Sequence, residues 1–227
     1  MAENKSKYPK HLTPRGILIW PKLNVPDTKY KADGEYKTSL RIPVEVFVKS
    51  GLKKMLDEAT ERALAEAKAD GKDLSPAAKA KVKAKGPSYP YGEAFDKEGN
   101  HLEDMVDLKF AIKADGVDPK TGESYSNKPK QFDAKGNPIN VTLNIGTEAK
   151  ISFTVFPWAT AALGYGVALR PKAVQVLKLI ERGAADASAY GFEEEDGYAY
   201  GGDDFGGDDH GEEHGHGADE SDEQIPF

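Results

Sequence analysis

The chain has 227 residues, no cysteine, and 31 basic against 38 acidic residues. Without cysteine it has no disulfide scaffold, no Cys-ligated zinc and no thiol nucleophile. Fourteen of the acids lie between Glu193 and Phe227, a stretch with no Lys or Arg, so residues 1–192 set 31 basic against 24 acidic residues and carry +7.

The start, MAENKSKYPKHL, is polar and lacks the apolar core of a signal peptide. No apolar run approaches the roughly eighteen residues that span a bilayer, so no membrane is expected and a cytoplasmic location is. Residues 15–20, RGILIW, form an apolar run ended by Pro21 and read as a buried strand. In residues 35–42, Tyr36, Thr38, Leu40 and Ile42 alternate with Lys37, Ser39 and Arg41, which predicts a strand with one inward and one outward face, stopped by Pro43.

From about Ser50 the period becomes helical, with Leu52, Met55, Leu56, Ala59, Ala63 and Leu64 on one face and Gly71 as the stop. Ser75-Pro76 reads as an N-cap followed by proline at the first helical position, opening a basic, solvated helix that Gly86-Pro87 ends. Residues 105–113 alternate again, with Val106, Leu108, Phe110 and Ile112 inward and Lys109 and Lys113 outward. Two similar segments, Phe95 to Asn100 and Phe132 to Asn137, each place Gly-Asn where a hairpin needs positive φ. Strands follow at 149–156, 165–170 and 173–180, with Ile151, Phe153 and Val155 inward. Short strands, glycine-rich turns and one helical excursion after the second strand predict a mostly β fold, a small antiparallel barrel.

The acidic, Gly-rich stretch at the end has no helical or alternating period and too little apolar area to offset the entropy of ordering it. The expected organisation is therefore one domain, residues 1–185, and a disordered acidic tail, residues 186–227. Catalytic motifs are missing: there is no GxxxxGK[ST], GxGxxG after a strand, HExxH or GxSxG, so no enzyme and no cofactor is expected. His210, His214 and His216 sit among acids, but such a segment offers no preformed geometry for a metal. Asp96, Glu98 and Asn100 depart from a calcium loop and read as a hairpin turn.

What remains is Lys and Arg interleaved with aromatics on strands, the two ingredients of a single-strand groove: cations for phosphates and rings for bases. Trp158, Trp20, Phe156, Tyr89 and Tyr91 are the rings least easily assigned to a core. Lys22, Lys37, Arg41, Lys109, Lys113, Lys128, Lys130 and Lys150 fall on outward phases or in adjoining loops. Taken singly, each ring fits a core and each lysine a solvated surface; the collective pattern carries the expectation.

The end, Asp222-Glu223-Gln224-Ile225-Pro226-Phe227, resembles the C-terminal peptide of bacterial single-stranded DNA-binding proteins. The body resembles the phage replication single-stranded DNA-binding proteins, through GEYKTSLRIP at 34–43 with the KMLDE helix after it, and through Phe156-Pro157-Trp158 and Leu163 to Leu169. That resemblance implies an OB-fold whose barrel face binds single strands, with Trp158 stacking on a base. It also implies a tail that competes with DNA for the groove, and a tip of Asp222, Glu223, Ile225, Pro226 and Phe227 that recruits replication partners. Polymerase, helicase-primase or host replication and repair proteins are the partners implied, in the cytoplasm of an infected host. Here the helix lies between the second and third strands, whereas a standard OB-fold has it after the third. Alternatives open at this point are a DNA-mimic or chaperone-like module acting through the tail, an OB-fold RNA binder, and a homo-oligomer.

Overall fold

The computed structural model describes residues 8–29, 31–66, 68–69, 72–118 and 121–181. The chain divides into two units, Met1–Arg182 and Gly183–Phe227, and all described residues lie in the first. The acidic tail and the tip residues Asp222, Glu223, Ile225, Pro226 and Phe227 lie outside the described residues, as do His210, His214 and His216.

Strands β1 (Lys10–Leu12), β2 (Gly16–Asp27) and β3 (Glu35–Pro43) come first. Helices α1 (Val44–Lys49) and α2 (Leu52–Glu66), the two-residue strands β4 (Lys68–Ala69) and β5 (Lys72–Asp73), and helix α3 (Pro76–Lys85) follow. The next strands are β6 (Pro87–Ser88), β7 (Tyr91–Phe95), β8 (His101–Lys113), β9 (Asp115–Val117) and β10 (Ser124–Ser126). The last are β11 (Lys130–Phe132), β12 (Pro138–Ile139), β13 (Glu148–Thr160) and β14 (Gly164–Lys178).

Five of these strands close a barrel. β2 pairs β3, β3 pairs β8 and β13 pairs β14, all antiparallel; β8 meets β14 in parallel at Phe110 and Leu169, and β13 returns to β2 at Ala149 and Gly16. Closure in this order, with the helices inserted after the second barrel strand, is the OB-type arrangement expected from the sequence. Alternation supplies the interior: Leu18, Leu40, Ile42, Leu108, Phe110, Ile151, Phe153 and Leu169 are all buried. Each such side chain contributes roughly 1.5–3 kcal/mol by leaving water. Phe110 and Phe153 meet edge to face across the core at 5.4 Å.

The helices depart from the expected bounds. Helix formation starts at Val44, with Pro43 in extended conformation as its N-cap, because Phe47 buries in the core and overrides the weak helix propensity of Val44, Val46 and Val48. Gly51, at φ 74°, separates α1 from α2, and α2 ends at Glu66 rather than Gly71. α3 has the expected caps: Ala78 N donates to Ser75 Oγ, Pro76 is first in the helix, and Gly86 ends it at φ 84°.

Pro43 ends β3 as expected, whereas Pro21, expected to end a strand, and Pro171, in the expected break before residue 173, sit where the ladder is irregular. Ile19 pairs Ser39 and Lys22 pairs Lys37, leaving one extra residue at Trp20-Pro21. Ser152 pairs Ala173 and Phe153 pairs Pro171, so Lys172 is extra and β14 runs on through the expected break. A bulge needs no ladder hydrogen bond from the proline nitrogen, which is why each strand continues. Both Gly-Asn turns form as expected, with Gly99 and Gly136 each at φ 88°. In the first, Asp96 accepts from Asn100 N and Nδ2; in the second, Asp133 accepts from Asn137 N and Nδ2.

Candidate nucleic-acid interface

The outward phases of β2, β3 and β8 line up as rows across three strands. One row is Ile17, Arg41 and Asp107; the next is Ile19, Ser39 and Lys109; the third is Lys22, Lys37 and Ala111. Their order follows directly from the alternation that buries Leu18, Leu40 and Leu108 on the other side.

Charge on this face is graded. Lys109 and Lys22 are exposed and carry no ion pair among the described residues. Lys37 bridges Asp27 at 2.6 Å, and that hydrogen bond holds the Asp27 carboxyl below its usual range. Arg41 is committed differently: Nε and Nη2 each donate to one oxygen of Asp107 at 2.8 Å, and Nη2 also donates to the Phe95 carbonyl. Both partners are nearly enclosed, at 13% and 14% side-chain exposure, and the bond to Asp107 raises the Arg41 pKa. Arg41 is therefore a fixed donor-acceptor pair with Asp107 rather than a mobile phosphate clamp.

Trp20 stands over the rows at the bulge. Its side chain is 74% exposed and its backbone has φ 49°, the single positive φ outside glycine among the described residues. A left-handed L-residue costs about 1–2 kcal/mol, and glycine ordinarily fills such bulge positions. An exposed aromatic held in a strained backbone is stabilised by nothing in the core, the pattern associated with binding sites.

Trp20 belongs to the walls of two grooves. The larger, about 590 Å³, is lined by Ile17, Ile19 and Ile145, by Phe95, and by Ser39 with the Arg41–Asp107 pair. The smaller, about 260 Å³, is lined by Ile19, Ser39, Ala111, Lys37 and Lys109, with no carboxylate among its lining residues.

The other expected site residues lie elsewhere. Tyr91 packs edge to face on Phe47 at 4.9 Å and its hydroxyl donates to Asp57; burial, then that bond, pushes its pKa up to about 12. Tyr89 leans on Tyr91 at 5.5 Å and stays exposed. Lys113 closes β8 opposite Glu35. Lys128 and Lys130 border an apolar groove made with Pro129, Phe132, Pro138 and Ile139. Lys150 is on the outer face of β13 beside Leu12 and Gln175.

Phe156 and Trp158 share the outward phase of β13. The Arg170 guanidinium lies 3.4 Å from the Phe156 ring centroid, Tyr8 meets that ring edge-on at 5.3 Å, and Trp158 covers Gly166, the residue it pairs. Burial lowers the Arg170 pKa. Sequence reasoning missed Arg170, although it falls on the outward phase of its strand. It also missed Phe95, Asp107 and Ile145, which only the closed barrel brings together.

A closed five-stranded barrel in this strand order, with grooves on the outer face of its first three strands, is an OB-type fold. Among the solved structures similar to this chain are phage single-stranded DNA-binding proteins. Bacteriophage T7 gp2.5, a single-stranded DNA-binding protein, is 22% identical, aligns over 86% of this chain and 100% of its own, and has a TM-score of 0.57. The single-stranded DNA-binding protein of bacteriophage Enc34, solved in complex with ssDNA, is 12% identical over 77% of this chain and 89% of its own, at a TM-score of 0.49. No family model matches the sequence, and no curated protein matches it. No helix among the described residues is long and apolar enough to cross a membrane.

Proposed function

We propose that this protein binds single-stranded DNA, without catalysis, through the outer face of β2, β3 and β8. The observation that carries the reading is Trp20: an exposed ring in a strained bulge, between a lysine-lined groove and one that sets aliphatic and aromatic walls beside charged residues. Flat bases stack on rings while lysines track phosphates, and neither requires a fixed sequence. The fold shared with phage single-stranded DNA-binding proteins agrees with this reading.

In this account the protein coats and protects single strands during phage replication, recombination or repair in the host cytoplasm. Phe156, Trp158, Lys150 and Arg170 extend the contact along the β13–β14 hairpin. Residues 193–223 compete with DNA for the basic face, aided by the high effective concentration of a tethered segment. Ile225-Pro226-Phe227 dock replication partners.

Fluorescence anisotropy with a labelled single-stranded oligonucleotide, titrated at several salt concentrations, tests the reading. Binding is expected with log K falling by about 0.7 per phosphate neutralised for each log unit of salt. Deleting residues 193–227 is expected to tighten binding, most at low salt. No binding by either form overturns the proposal; equal affinity of the two forms removes the competition by the tail.

A further inference from the structure

The two grooves that share Trp20 differ in chemistry, and the difference assigns them different parts of a nucleotide. Lys109, and Lys37 with its bridge to Asp27, line the smaller groove, which has no carboxylate among its lining residues. The larger contains Arg41 and Lys97 against Asp96, Glu98 and Asp107, an excess of negative charge that disfavours a phosphate. Apart from Ser39 and Gly146 its remaining lining is aliphatic and aromatic, which suits a base.

Within that groove one acceptor is both enclosed and fixed. Asp96 is occupied by its own hairpin, accepting from Asn100 N and Nδ2. Asp107 is held by Arg41, one bond to each oxygen, which leaves a further lone pair on each. Ser39 lies beside the pair, and its hydroxyl rotates to donate or accept.

We infer that the larger groove is a nucleobase pocket that selects bases bearing an exocyclic amine, with Asp107 as the acceptor, Arg41 as the positioning residue and Trp20 as the ring separating base from phosphate. This rests on the single-strand reading and sharpens it from indifferent binding to a graded base preference. A carboxylate accepts from the N4 amine of cytosine, and adenine and guanine also carry amines. Thymine and uracil present a carbonyl at the same position, so two acceptors face each other and neither is satisfied.

Cytosine and uracil differ at that position and in the proton that uracil carries on the adjacent N3, so the comparison needs no variant, and an analogue that removes only the amine protons completes it. The full chain is titrated at pH 8 with oligodeoxycytidylate and oligodeoxyuridylate of equal length. Cytidylate is expected to bind roughly tenfold more tightly, the discrimination of a buried base contact. An oligomer of N4,N4-dimethyldeoxycytidine, which has lost the donor, is expected to fall to the uridylate affinity. Asp107→Asn, checked for folding by its Tm, is expected to narrow or invert the preference, because its amide offers a donor to the uracil carbonyl. Equal affinity for cytidylate and uridylate overturns this inference while leaving single-strand binding intact. Failure to bind either oligomer overturns the functional reading itself.

Discussion

At the scale of the residue, Trp20 places folding and binding in opposition. The bulge would be better served by glycine, and the exposed indole gives little back to the core. Trp20→Gly is therefore expected to keep or raise Tm while weakening oligonucleotide binding by roughly 5- to 100-fold, the loss of one stacked base at about 1–3 kcal/mol. Calorimetry and anisotropy on the same variant check both halves; a large fall in Tm would show instead that the indole is structural. Trp20 was legible as an outward aromatic, but its strain was not, because Pro21 read as the end of a strand. Tyr91 shows the converse. It read as one of the rings least easily assigned to a core, whereas the inserted helices bring Phe47 and Asp57 onto it.

At the scale of the element, the alternating strands were legible because period two and a buried face specify each other. Leu40, Ile42, Leu108 and Phe110 needed no further information to be placed inward. Continuity through Pro21, Pro157 and Pro171 was not legible, since it depends on bulges or ladder positions in a partner strand far along the chain. The same holds for the seam that closes the barrel. Gly16 opposes Ala149 there, and a Cβ on it would stand 2.5 Å from Ile42 Cγ2 and 2.7 Å from the Arg41 carbonyl. Gly16→Ala must push β2 off β3, at a cost of about 1–3 kcal/mol. A Tm lower by several degrees is expected, with weaker DNA binding in proportion because Arg41 sets one row of the face. An unchanged Tm would mean that β2 does not approach β3 this closely at Gly16.

At the scale of the whole molecule, charge segregation is the organising fact, and composition alone revealed it. An acidic total concealed a basic body, and the body's outward lysines fall on several strands. How those strands share the work was beyond the sequence: Lys37 and Lys109 lie in one groove with Trp20, whereas Lys128, Lys130 and Lys150 border others. Because the chain has two tryptophans, one on each face, their emission distinguishes the faces directly. In a Trp158→Phe variant, Trp20 is the sole tryptophan, and its fluorescence is followed while a single-stranded oligonucleotide is added and anisotropy is read in parallel. Saturable quenching is expected, with the same midpoint and the same salt dependence as the anisotropy. Binding by anisotropy with Trp20 emission unchanged would contradict the account and confine the DNA to the β13–β14 face beside Phe156 and Arg170.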